Sequence, residues 1–216
     1  MLLAGIHQKE RRIPVELVLA TANQHKRHEL VSLLADLDVT IRTMDEFEGL
    51  PPIVEDGDTC RANAEKKARI VSQHTGKLAL ADDTGLEVDA LGGRPGVYAA
   101  RYAGEHATYA DNCQKMLNEL ADVPARRRTA RFLTVAAIAE PSSGVESVEG
   151  VLEGTIAESV AGTEGFGYDP IFVVPELGKT LAEISLEQKN QISHRGKALA
   201  KAKEVLIRKM ALAVEG

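Results

Sequence analysis

Apolar residues recur along this chain at two periods, and the switches between them mark out its elements. Residues 15–20 form a short apolar run that reads as a buried strand. Asn23 suits the cap of a helix over residues 24–37, which places Leu30, Leu33, Leu34 and Leu37 on one face. Val39–Thr43 reads as a second strand. Residues 45–58 contain Pro51, Pro52 and Gly57 and read as loop. Thr59 caps a second helix running to about His74, with Gly76 as its stop. Residues 78–81 predict a strand that delivers Asp82 and Asp83 at its C-terminal end.

The later chain reads in the same way. Residues 91–97 carry two glycines and a proline, which break both periods. Cys113, Met116, Leu117 and Leu120 support a helix over 108–120. Residues 131–139 and 145–157 predict two long strands joined like a hairpin at 141–144. Residues 168–173 predict a further strand. Ser193 caps a long C-terminal helix carrying Leu199, Leu206 and Met210. Helices alternate with strands early and a strand pair follows late, which indicates an α/β fold with a mixed sheet. Residues 1–13 read as a poorly ordered N-terminal extension, and 14–216 as one α/β domain.

Composition narrows the function classes. Hydrophobic residues make up 44% and charged residues 27% of the 216, as in an ordinary soluble globular protein. A net charge of -6 argues against a general basic surface for nucleic acid, while leaving room for a small anionic ligand. Cys60 and Cys113 are too few for a disulfide framework or a zinc site, and a reducing cytoplasm fits them best. No apolar stretch approaches the roughly 20 residues that span a bilayer. Aromatics are only 4%, so each one is worth placing.

Five segments could carry chemistry. Thr21-Ala22-Asn23-Gln24-His25-Lys26 lies where a strand meets a helix N-terminus, a place that suits an anion. Taken alone, ordinary capping with a surface lysine explains it. In Asp82-Asp83-Thr84-Gly85, two adjacent carboxylates after an apolar strand need solvent, a partner or a cation. A turn explains the same residues. Asn63 and Lys67 share a helix face, and Glu55 on the preceding loop can reach the same cleft. A solvated charged face is the plainer account. Gly165-Phe166-Gly167-Tyr168-Asp169 sets aromatics among glycines, which lets a ring approach a flat ligand, or forms a tight turn. Lys189 with Ser193-His194-Arg195 offers donors at a helix start, for carbonyl or phosphate oxygens or for solvent.

Together these segments resemble one family, the inosine/xanthosine triphosphate pyrophosphatases, also called Ham1-like. The matching stretches are VLATANQHKRHEL, EDGDTCRANAEKKA, ALADDTGLEVDALGGRPGVYAARYAG, GTEGFGYDPIF and KNQISHRGKAL. The resemblance implies hydrolysis of dITP, ITP and XTP to the monophosphate and pyrophosphate, a house-cleaning activity on the nucleotide pool. It also implies magnesium, a cytoplasmic homodimer, and an elongated mixed sheet flanked by helices, with two lobes around a cleft. Asp83 resembles the catalytic group that activates water. Glu55 and Asp83 resemble metal-side carboxylates, with Asp82 in support. Thr21, Asn23, Lys26 and Lys67 resemble triphosphate contacts, and Ala22, Gln24, His25 and Thr84 fall with them among the substrate-binding positions. Phe166 resembles the base-stacking residue, with Gly167, Tyr168 and Asp169 beside it. Lys189, His194 and Arg195 resemble the readers of the purine's oxygen edge. Ala22 stands where the family usually has Gly, Thr84 where it has Ser, and Cys60 and Ala62 where Phe and Glu are frequent.

Donors suit this substrate class, because inosine and xanthine carry O6 where adenine carries an amino group. A site built of donors leaves adenine's N6–H₂ unpaired, and such mismatches discriminate by up to about 10⁴. Two other readings stay open on sequence: a broader nucleotide pyrophosphatase, and a catalytically silent nucleotide binder.

Overall fold

The computed structural model describes residues 15–215. Five helices flank one mixed sheet. In chain order the strands are β1 (Val15–Leu19), β2 (Val39–Thr43), β3 (Leu78–Val88), β4 (Pro95–Gly96), β5 (Thr129–Ala139), β6 (Val145–Ile156), β7 (Phe172–Val174) and β8 (Lys179–Thr180). The helices are α1 (Gln24–Leu34), α2 (Cys60–Thr75), α3 (Tyr109–Glu119), α4 (Leu186–Ile192) and α5 (His194–Glu215). The sheet order is β2-β1-β3-β5-β6-β7-β8, with β4 pairing β3. β1 runs parallel to β2 and β3, and the other pairs are antiparallel.

The central strands are apolar on both faces because both faces are covered. Side chains alternate along a strand, so Leu17, Leu19, Leu78 and Leu80 point one way and Val18, Ala20, Ala79 and Ala81 the other. Leu30 and Leu34 of α1 and Ala198, Leu199, Ala202, Val205 and Leu206 of α5 cover the first face. Ala64, Ala68 and Val71 of α2 cover the second. A third apolar cluster gathers where β3, β5, β6 and β7 meet α3, around Leu86, Phe132, Phe172 and Met116.

Most predicted elements are present, with three changes that matter. β3 does not end before the acidic pair. It continues to Val88, because its antiparallel ladder with β5 runs from Ala79↔Ala139 to Val88↔Ala130. Asp82 and Asp83 therefore lie in mid-strand. Residues 168–173 are not one strand: a 3-10 turn spans Asp169–Ile171, with Pro170 lacking the N–H a ladder needs, and only Phe172–Val174 pairs. α1 ends at Leu34 rather than Leu37, where the Leu37 N–H donates to the Leu34 carbonyl at 3.0 Å and keeps Leu37 against the core. The short helix α4, absent from the sequence reading, starts on a capping box of Ser185 and Gln188. The extension at 1–13 lies outside the described residues.

α5 approaches the sheet at Gly150 of β6. A Cβ there would collide with the His194 carbonyl oxygen and the Ala198 nitrogen, both backbone atoms that cannot swing aside. Gly150→Ala is therefore expected to destabilise the fold by about 3 kcal/mol, read as an earlier urea midpoint. Gly144→Ala, in open space, is the control; equal midpoints for the two variants would contradict this packing.

Candidate active site

β1 stops at Leu19, opposite Leu80, and its last tie to β3 is the Ala20 N–H on the Leu80 carbonyl at 2.8 Å. β3 runs on, so a crevice opens beyond the C-terminal end of β1, the usual ligand position in such sheets. A cavity of about 590 Å³ lies there, in the size range of small-molecule sites. One end is charged and the other aromatic.

At the charged end, the chain turns from β1 into α1. Asn23 caps the helix, accepting on Oδ1 from the His25 and Lys26 N–H groups at 3.0 and 3.2 Å. Thr21, Ala22, Asn23 and Lys26 line the cavity. Across from them, Asp83 accepts from Lys67 Nζ and Asn63 Nδ2, each at 3.4 Å, and Lys67 Nζ also reaches Glu55 Oε2 at 3.0 Å.

The strand's period separates the two aspartates. Asp83 shares the face of Ala79 and Ala81 and meets α2, which carries Asn63 and Lys67. Asp82 shares the face of Leu78 and Leu80 and meets α5 and α1. Asp82 is fully buried. Its Oδ2 accepts from Arg195 Nε at 3.0 Å and lies 3.5 Å from Lys26 Nζ. Burial would raise its pKa, but the charges of Lys26, Arg195 and Lys67 outweigh burial and hold it well below the ordinary carboxylate range. For Asp83, burial raises the pKa, and the neighbouring charges of Glu55 and Asp82 add to it against Lys67 and Lys26. Asp83 faces the cavity while Asp82 does not, so Asp82 anchors cations from behind the wall rather than offering an oxygen to a metal in the cavity.

At the aromatic end, Phe166, Tyr168, Asp169, Lys189, His194 and Arg195 converge, with Gly167 beside them. Buried Asp169 fixes the loop: its Oδ2 accepts from the Phe166 N–H at 2.8 Å and from Lys189 Nζ. Gly165, at φ 73°, leaves room for that carboxylate, which any Cβ would strike. Lys189 Nζ lies 4.9 Å and Arg195 Cζ 5.4 Å from the Phe166 ring centre. Tyr168 donates to the Ala99 carbonyl at 2.8 Å and belongs to the core. Gln24 and His25 are exposed and do not line the cavity, although the His25 ring stacks on Phe166 at 5.2 Å.

Sequence reasoning passed over three contributors. Buried Glu29 of α1 accepts from Lys189 Nζ at 2.7 Å and from Arg195 Nη1. Its place next to Leu30, at the edge of an apolar stripe, was the available signal, since a buried carboxylate calls for cations. Tyr109, whose OH accepts from Asn23 Nδ2 at 3.1 Å, lines the cavity beside Phe166. Thr134 contacts His194 from within β5.

Magnesium can be tested against this donor set. Glu55 and Asp83 already direct two anionic oxygens at one cation, the Lys67 ammonium. An oxygen-only pair suits a hard cation that completes its shell with phosphate and water. Among the described residues no group of three or more His, Cys, Asp or Glu could hold a metal ion, so phosphate and water would have to supply the remaining ligands. The residues fit on those terms.

The opposed pKa shifts have opposite signs for stability. Asp82's is lowered on folding, so its ionised form stabilises the fold above the ordinary carboxylate range, and that gain is lost as pH falls below it. Asp83's is raised, so ionising it costs native stability once pH exceeds its ordinary value. In metal-free protein at pH 7, Asp82→Asn is expected to lose about 3 kcal/mol, a deficit that holds down to the ordinary carboxylate range and shrinks as pH falls below it. Asp83→Asn is expected to be as stable as the parent or more so. Urea denaturation checks both, and a reversed order would contradict the assignment.

A family model described as the Ham1 family matches residues 17–205. A dITP/XTP pyrophosphatase of Desulforamulus reducens is 52% identical over 194 residues, spanning 90% of this chain and 96% of its own. Another of that name from Shouchella clausii is 48% identical, spanning 88% of this chain and 96% of its own. Among solved structures, a HAM1 protein from Coxiella burnetii superposes with a TM-score of 0.81 at 43% identity, covering 90% of this chain and 99% of that one. With a family model matched over residues 17–205 and relatives about half identical over most of its length, the chain belongs to the Ham1 family.

Proposed function

We propose that this protein hydrolyses dITP, ITP and XTP to the nucleoside monophosphate and pyrophosphate, using magnesium. The observation that carries the reading is Asp83: a buried carboxylate with a raised pKa, facing a cavity whose other end holds an aromatic ring and hydrogen-bond donors. Relatives at 48–52% identity that bear the name dITP/XTP pyrophosphatase support the substrate class.

Each end has a share in the reaction. Lys26, Lys67, Thr21 and Asn23 would bind the triphosphate, offsetting its charge in a site partly shielded from water. Glu55 and Asp83 would hold magnesium, which when bound neutralises phosphate charge. Asp83 would also take the proton of the water that attacks the α-phosphorus. A carboxylate with a raised pKa is a stronger base than an ordinary one. Phe166 would stack on the base, and Lys189 with His194 would face its edge.

A panel of ITP, dITP, XTP, GTP, ATP and dTTP with magnesium tests this reading. Pyrophosphate release from ITP, dITP and XTP is expected to exceed that from ATP by at least about 10² in kcat/KM. Equal rates on all six would favour a broad pyrophosphatase, and release from none would leave only a binder.

A further inference from the structure

Arg195 is the obvious reader of a purine oxygen, yet its guanidinium is already engaged. Nε donates to Asp82, Nη1 to Glu29 and Nη2 to Thr84 Oγ1 at 3.1 Å. Lys189 likewise spends donors on Glu29 and Asp169. His194 is different. Its Nδ1 lies 2.6 Å from Thr134 Oγ1, so Nε2 is the nitrogen left for a ligand in the cavity that the ring lines. Phe132 stacks on the imidazole at 4.5 Å and fixes its plane. Burial and the nearby charges of Arg195 and Lys189 hold its pKa well below the ordinary value, so the ring is neutral at pH 7. A neutral imidazole carries one proton, and the choice of nitrogen decides whether Nε2 donates or accepts.

A chain of hydroxyls makes that choice. Thr84 Oγ1 and Thr134 Oγ1 are 2.7 Å apart. Arg195 has donors only, so Thr84 must accept from it. If Thr84 then donates to Thr134, and Thr134 to Nδ1, every proton in the chain has an acceptor. In the reverse polarity Thr84 accepts twice, beside a cation, and its own proton finds no acceptor in the chain. The forward chain leaves no hydroxyl idle, and each link polarises the next. Thr134 is fully buried and does not line the cavity, so it acts only through its neighbours.

We propose that Thr134 is a specificity-determining positioning residue: relaying the Arg195–Thr84 hydrogen bond, it locks His194 as the Nε2–H tautomer, so the cavity presents a donor to the 6-oxo group of the base. This rests on the proposed substrate class. An adenine amino group would meet a donor here, whereas the other tautomer would accept from it.

Long-range ¹H–¹⁵N correlation spectra of the nucleotide-free protein read the tautomer directly, with His194 signals assigned by their loss in His194→Gln. The parent is expected to show a protonated Nε2 and a bare Nδ1 at neutral pH. Thr134→Val keeps the shape and removes the hydroxyl. It is expected to mix the tautomers, to raise KM for ITP about tenfold with a smaller change in kcat, and to leave ATP turnover undiminished or improved. Thr134→Ser restores the parent pattern. If Thr134→Val does not fold, Thr84→Val breaks the same chain one link earlier. A parent His194 protonated at Nδ1 overturns the proposal. So does an unchanged tautomer with ITP and ATP turnover reduced by the same factor. The spectra involve no nucleotide, so their result stands apart from failure of the substrate assignment.

Discussion

Asp82 and Asp83 carry adjacent negative charges into the middle of a buried strand, and the sheet's alternation forces the two apart. Neither carboxylate can stay ionised there without cations. On one face the need is met by Arg195 and Lys26, on the other by Lys67. Those cations come from α5, α1 and α2, the helices that cover the sheet. The charge balance that makes the strand tolerable thus also fixes these three helices around the cleft.

The same constraint separates structure from chemistry. Asp82 is fully buried and spends Oδ2 on Arg195, which Glu29 and Thr84 also hold. Asp83 has weaker ties at 3.4 Å and shares its lysine with Glu55. A carboxylate held loosely, next to another one, is poised to exchange its lysine for a metal ion or a water. At the far end of the cavity the network continues through Glu29, Lys189 and Asp169 to the backbone of Phe166. The charged end and the aromatic end of the cavity are therefore tied together by buried ion pairs.

Much of this was legible in the sequence where the signal is local. Asn23, Thr59 and Ser193 mark helix starts by capping chemistry, and each accepts a backbone N–H in the structure. What the sequence hid depends on distant partners. β3 reads as ending at the acidic pair because two charges interrupt an apolar run, whereas its continuation is dictated by β5, some fifty residues on. Glu29 finds its cations at Lys189 and Arg195, a pairing no local pattern reports. Thr134 is a polar residue inside an apolar strand, which signals that a partner exists without naming it. The motifs bring the remaining site residues into view because their chemistry, though not their geometry, is written in residue type.

The central claim is the division of labour between the two aspartates, and single-turnover kinetics with enzyme in excess tests it most directly. Asp83→Asn mixed with ITP and magnesium should still bind the nucleotide, seen by calorimetry, while pyrophosphate release falls by at least about 10². Near-parental release by Asp83→Asn, or loss of nucleotide binding along with release, would contradict the account.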